Sequence, residues 1–135
     1  MGRAEYLEKK YGITAVEYAQ MAIVQGGACK CCGNIPKGDY PLHVDHSHRV
    51  AATKIRVERA GNSFVAIAVT DKFLSPTFVY VFREAAIKAA KRWLLRKSVR
   101  GLVCWKCNTV LRWARDSAEI LRAAAKYLDE YITTL

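Results

Sequence analysis

The chain has 135 residues, 52% of them hydrophobic and 25% charged, enough for one folded domain and against intrinsic disorder. Its 22 lysines and arginines against 12 acidic residues give a net charge of +10, which points to a polyanionic partner, nucleic acid ahead of an anionic membrane surface. No apolar run is long enough to span a bilayer and MGRAEYLEKKYG is not of signal-peptide type, so a cytoplasmic protein with no membrane partner is expected. In that setting the five cysteines read as metal ligands or packing residues before disulfides.

The first clear element lies in GITAVEYAQM. Thr14 sits where it caps a helix, and Glu17, three residues on, closes a capping box. Ile13 and Tyr18 occupy hydrophobic-staple positions, and QGG at 25–27 ends the helix. A tight knuckle is expected in CKCCGNIPKG, followed by a short strand around Leu42 to Val44.

The character changes from Ala51 to Lys97. KIRVERAGNSFVAIAV alternates around Gly61-Asn62, a two-residue hairpin signal. TFVYVF reads as a further strand, and REAAIKAAKRWLLRK as a helix with Ala86, Ala89, Ala90, Trp93 and Leu94 on an apolar face. Lys88, Arg92 and Arg96 recur every four residues on another face. Residues 51–97 hold ten basic and three acidic residues, so most of the positive excess lies here. VRGLVCWKCN then reads as a short strand leading to a second cysteine pair. Two helical pieces close the chain, the second opening with Asp116 as cap and Glu119 at the capping-box position. Ile120, Leu121, Ala124, Leu128 and Tyr131 form what is expected to be its buried side.

Cys29–Cys32 and Cys104–Cys107 are two CxxC units, with 71 residues (33–103) between their inner cysteines. Two residues between thiolates let one turn aim both sulfurs at a metal, and two such turns complete a tetrahedral zinc site with no open position, hence a structural one. That spacing is long for a zinc pair and requires the middle segment to be looped out. A redox CxxC is the functional rival, but redox motifs come singly and near a βαβ pattern; buried cysteines acting as small hydrophobes are the bland one. Cys31 reads as a bystander that stands next to Cys32 as a substitute ligand.

All three histidines fall in LHVDHSH, at positions 43, 46 and 48, around Asp45. On an extended strand Asp45 shares a face with His43, and His46 falls on the other unless the chain turns. A carboxylate beside a histidine suits phosphodiester cleavage: the carboxylate holds a hard cation such as Mg²⁺ or Mn²⁺, and a neutral imidazole takes a proton from attacking water. Adventitious metal binding and a solvated loop are the alternatives at this point.

YGITAVEYAQMAIVQGGACKCCG, LHVDHSH, VRGLVCWKCN and RDSAEILRAAAKYL, in that order, resemble the recombination endonuclease VII family of HNH, or ββα-metal, nucleases. The resemblance covers roughly residues 6–50 and 98–131. It implies an α+β fold: a small zinc-stabilised ββα-metal core with flanking helices, in a single domain over residues 1–135. It implies a structural zinc on Cys29, Cys32, Cys104 and Cys107, and Asp45 as ligand of a catalytic Mg²⁺ or Mn²⁺. His46 would be the general base, Asn108 a second cation ligand or orienting group, and His43 and His48 phosphate-side helpers. The implied activity is metal-dependent DNA endonuclease, leaving 3′-hydroxyl and 5′-phosphate ends on branched or duplex DNA, with a homodimer if junctions are resolved. One zinc would tie together two active-site fragments that are far apart in sequence.

The sequence departs from the family pattern where a short turn is replaced by residues 51–97, a basic β-hairpin, strand and helix insertion. Lys88, Arg92 and Arg96 are its candidate DNA contacts; a solvated helix over a small satellite core is the bland reading. It departs again after Asn108, where NTVLRWARD lacks the glycine that often follows. The alternative from another class is a non-catalytic zinc-dependent DNA-binding module, against which Asp45, His46 and Asn108 together speak.

Overall fold

The computed structural model describes residues 1–38, 41–69 and 74–133, and among them the chain forms six helices and five strands in an α+β arrangement. Helices α1 (Arg3–Tyr11) and α2 (Ala15–Val24) meet at Gly12, which has φ 69°. A Cβ there would stand 2.5 Å from the Arg92 carbonyl oxygen, so glycine serves both the left-handed backbone and the close approach of this corner to a later helix.

The capping box forms as expected. The Thr14 Oγ1 accepts from the Glu17 N–H at 3.1 Å, and the Glu17 carboxylate accepts from the Thr14 N–H at 2.8 Å. Thr14→Ala should therefore cost about 1 kcal/mol in urea unfolding. The Thr14 N–H, against a burial penalty and with help from Arg96, holds the Glu17 carboxyl below its ordinary range. Because the folded pKa is the lower one, this contribution is present at neutral pH and is lost as pH falls below about 4.5 through the depressed value. The stability gap between the wild type and Glu17→Gln should accordingly shrink on acidification.

Strand β1 (His43–His46) pairs antiparallel with β5 (Val99–Val103), and α5 (Trp105–Trp113) follows β5 at once and packs on β1. One side chain in particular holds the segment after α2 against β5. The Gln25 carboxamide accepts from the Leu102 N–H at 3.0 Å and donates to the Leu102 carbonyl at 2.8 Å, so it stands in for a neighbouring strand. The Lys30 N–H also donates to the Leu102 carbonyl. Tyr18 donates to the Leu42 carbonyl at 2.7 Å and pins α2 to the entry of β1. Leu7, Tyr11, Ile13, Cys29, Leu42, Val44, Leu102 and Val103 form the core between these elements.

Between β1 and β5 the chain runs through α3 (His48–Ala51), the three-stranded sheet β2 (Ile55–Ala60), β3 (Ser63–Ala68) and β4 (Phe78–Tyr80), and α4 (Arg83–Ser98). Ala60 pairs with Ser63 across Gly61-Asn62, so the hairpin lies where its turn signal stands. Ala66, Ala86 and Ala90 are fully buried between sheet and helix, ringed by Ile55, Val57, Phe64 and Phe78. Small residues at the contact let α4 lie close to the sheet, and a second, smaller core results. Residues 70–73 of the middle segment lie outside the described residues.

The closing helix α6 (Ala118–Thr133) departs from expectation twice. Its cap is Ser117, whose Oγ accepts from the Ile120 N–H at 3.2 Å, while Asp116 is bonded elsewhere. Its apolar stripe is not buried: Ile120, Leu128 and Tyr131 are each more than half exposed. Arg115 and Asp116 both adopt left-handed backbone (φ 53° and 57°), and this turn carries α6 away from the core, leaving the stripe uncovered. No helix among the described residues is long and apolar enough to cross a membrane.

Candidate metal centre and active-site cleft

The four cysteines of the two CxxC units converge although the pairs are far apart in sequence. Their sulfurs all lie within 4.8 Å of one another, with Cys32 and Cys104 Sγ 4.0 Å apart. A tetrahedral zinc with Zn–S bonds of about 2.3 Å needs sulfurs about 3.8 Å apart, so the donor set fits zinc with little adjustment. Gly33, at φ 74°, closes the first knuckle by donating from its N–H to the Cys29 carbonyl at 2.8 Å. Cys104 caps α5, accepting from the Cys107 N–H. Burial pushes the Cys29 thiol up, but backbone N–H groups of Cys32, Cys104 and Cys31 outweigh it and bring it down to about 6. Burial and the neighbouring sulfurs push the Cys107 thiol up; four thiols crowded together cannot all ionise without a cation among them. Cys31 is exposed and outside the cluster.

The metal centre braces the start of α5, where Asn108 directly follows Cys107. Asp45, His46, His48 and Asn108 line one cleft of about 230 Å³, with Lys10, Tyr11, Arg100, Arg112 and Asp116 among its other walls. His48 reaches it because the chain turns immediately after β1. The Ser47 N–H donates to the Ser98 carbonyl at 2.8 Å and its side chain caps α3, so the His48 ring comes to rest 4.5 Å from that of His46. On the other side the Tyr11 ring meets His46 edge-on, with centroids 5.1 Å apart. Burial first, then the charges of His48, Lys10 and Arg100, hold the His46 imidazole below its ordinary value against the pull of Asp45. It is therefore the neutral, proton-accepting form at pH 7.

Asp45 is 8% exposed and is gripped by a residue that sequence reasoning missed. Arg100 donates from Nε and Nη2 to the two carboxylate oxygens at 2.8 and 2.7 Å, and from Nη2 to Asp116 at 2.8 Å. The grip depends on a β-bulge. Asp45 pairs with Gly101 and His46 with Val99, so Arg100 is the extra residue, and the bulge turns its side chain to the Asp45 face. Arg100→Met should cost about 1–3 kcal/mol in chemical unfolding, because it leaves a buried carboxylate short of two charge-assisted bonds. The lower part of that range is expected, since the Arg100 side chain is 38% exposed and water can replace it. Pairing it with Asp45→Asn should recover much of the loss.

The other sequence-predicted residues stand apart from this cleft. His43 lines a separate one with Arg3, Tyr6 and Tyr18. Lys88, Arg92 and Arg96 are exposed along α4, but Arg92 pairs with Glu8 on α1 and Arg96 with Glu17 on α2.

A family model described as recombination endonuclease VII matches residues 4–130. The chain is 29% identical over 119 residues to the Gene 59 protein of Mycobacterium phage D29, and 28% identical over 119 residues to the Gene 59 protein of Mycobacterium phage L5. Each match covers 87% of this chain and 44% of the relative, so the chain spans less than half the length of the curated relatives it matches. No solved structure matches it significantly.

Proposed function

This chain belongs to the recombination endonuclease VII family, and from that premise we propose that it is an HNH-type endonuclease hydrolysing phosphodiester bonds of DNA with Mg²⁺ or Mn²⁺. One observation carries the reading: a carboxylate, a neutral imidazole and a carboxamide, Asp45, His46 and Asn108, line the same small basic cleft beside a four-cysteine cluster. The cluster is the structural zinc site.

A hard cation at the cleft would be held by oxygen of Asp45 and Asn108. The fit is chemical: Arg100 takes one lone pair on each Asp45 oxygen, and a carboxylate offers about four such sites. When bound, such a cation would neutralise charge building on the leaving oxygen. The chain's own residues do the rest. His46 accepts the proton of the attacking water; Tyr11 and His48 fix its ring on two sides. Arg100 holds the Asp45 carboxylate in one orientation, and Lys10 and Arg112 draw the phosphate in. His48 supports the leaving side, while His43, on its separate cleft, is at most a contact to a more distant phosphate.

Residues 51–97 are read as a basic insertion within a single domain, extending the DNA footprint through Lys88. Arg92 and Arg96 would have to leave Glu8 and Glu17 to join it. Branched DNA offers two strands to cut, so resolution of a junction would call for a homodimer, with the exposed stripe of α6 as available surface. Incubating the protein with plasmid and with a four-way junction, with Mg²⁺ and with EDTA, tests the reading. Cutting that EDTA abolishes is expected; cutting of neither substrate with any divalent cation would leave a DNA-binding module instead.

A further inference from the structure

A second cleft, about 580 Å³ in volume, lies beside the Asp45–His46 cleft, and the two share His48, Arg112 and Asp116. Three arginines line it from three different places: Arg49 on α3, Arg112 on α5 and Arg115 in the turn between α5 and α6. Arg92, Arg96 and Arg100 are all paired with carboxylates, whereas Arg49, Arg112 and Arg115 form no ion pair among the described residues. Of the two acidic side chains at this cleft, Asp116 is taken up by Arg100, leaving Glu119 against three guanidinium groups.

The backbone is arranged for this. Arg115 and Asp116 are consecutive non-glycine residues in left-handed conformation, a combination that costs energy and is found where the surroundings impose it. The turn sends the two side chains to different duties, Arg115 to the wide cleft and Asp116 to Arg100. It also sets the first turn of the sixteen-residue α6, with Ser117 and Ala118, at the cleft wall, where the positive end of the helix dipole adds to the arginines.

Taking the chain as a DNA-cleaving protein, we propose that the Arg49–Arg112–Arg115 cleft binds a non-scissile backbone phosphate of the DNA strand that lies along the Asp45–His46 cleft. Guanidinium forks match phosphate oxygens, and a phosphate held next to the reacting one sets the register of the strand without reading its bases. His48 and Arg112, on the shared border, are where the strand passes from one cleft to the other.

The test is a binding measurement on the full zinc-loaded chain carrying His46→Ala, so that no cutting intervenes. Arg49→Gln with Arg115→Asn removes two of the guanidinium groups; both residues are exposed, and asparagine tolerates the left-handed φ at position 115. An unchanged melting temperature certifies the fold. The double variant should bind duplex and four-way junction roughly tenfold more weakly, with the slope of log K against log salt reduced by about 0.9, the value of one phosphate contact. Replacing both arginines by lysine should keep most of the slope.

A second arm scans single neutral methylphosphonates along the strand. One position should weaken binding by the parent and have no further effect on the double variant. An unchanged slope, or a methylphosphonate effect that persists undiminished in the double variant, overturns the inference. Because the readout is binding, a chain that binds as described but cuts nothing refutes the nuclease reading and leaves this cleft standing. A chain that cuts normally with an unaltered slope refutes only the cleft.

Discussion

His46→Ala should lower the rate of DNA cleavage by about 10²–10⁴-fold, the usual contribution of a positioned general base, while DNA binding and the melting temperature stay close to wild type. The ring is half-buried at the cleft and is not itself a core residue, so its loss opens cleft volume and removes little more than one edge-on contact with Tyr11. Lys10 and Arg112, the residues proposed to draw the phosphate in, are left in place by the substitution. His48, with its ring 4.5 Å away, is a second imidazole placed to take over part of the proton transfer, so His46→Ala/His48→Ala should fall below either single variant. Initial rates of plasmid nicking, read beside affinity at one fixed salt concentration, separate the effects. Wild-type cutting by His46→Ala would remove His46 from the chemistry.

Stripping the metal should unfold the chain rather than merely inactivate it. Structural zinc in small domains supplies about 10–16 kcal/mol of apparent binding free energy, comparable to or larger than the whole stability of an ordinary domain, about 5–15 kcal/mol. Here the dependence is strong for a structural reason. The β1–β5 sheet has only two strands, Cys29 is itself part of the core, and Cys104 and Cys107 pack against it. Without a cation the four sulfurs within 4.8 Å of one another become a cluster of competing thiols at the edge of the core. Cys107→Ser should therefore give little folded protein, and a strong chelator should release one zinc per chain together with loss of helical circular dichroism. Cys31→Ser, exposed and outside the cluster, should behave as wild type. A chelated protein that keeps its melting temperature would overturn this account.

How much was legible beforehand divides along sequence distance. The Thr14–Glu17 box, the Gly61-Asn62 hairpin and the alanine face of α4 are near-neighbour features, and each stands where its residues pointed. The cysteine pairs were legible over a longer span, because each CxxC is a local turn and the metal's demand for four donors supplies the long-range link. At the start of α6 the local reading placed the cap at Asp116, one residue early: Arg100 claims that carboxylate, and the adjacent Ser117 caps the helix. The stripe of α6 was legible as periodicity, but periodicity records that a face is apolar and not whether anything covers it.

By itself, then, the amino-acid sequence determined the α+β class and the four sulfur donors, and it singled out Asp45, His46 and Asn108, which line one cleft. Those follow from residue types, local spacing and the resemblance that they carry. Only the tertiary structure decided that Arg100, 55 residues from Asp45, would be the residue to hold it, that His43 would be separated from the other histidines, and that Arg92 and Arg96 would meet Glu8 and Glu17. Each of these depends on strand register and helix placement. One bulged residue on β5 is enough to turn an arginine from one face of the sheet to the other, and no local preference in the chain encodes which residue that will be.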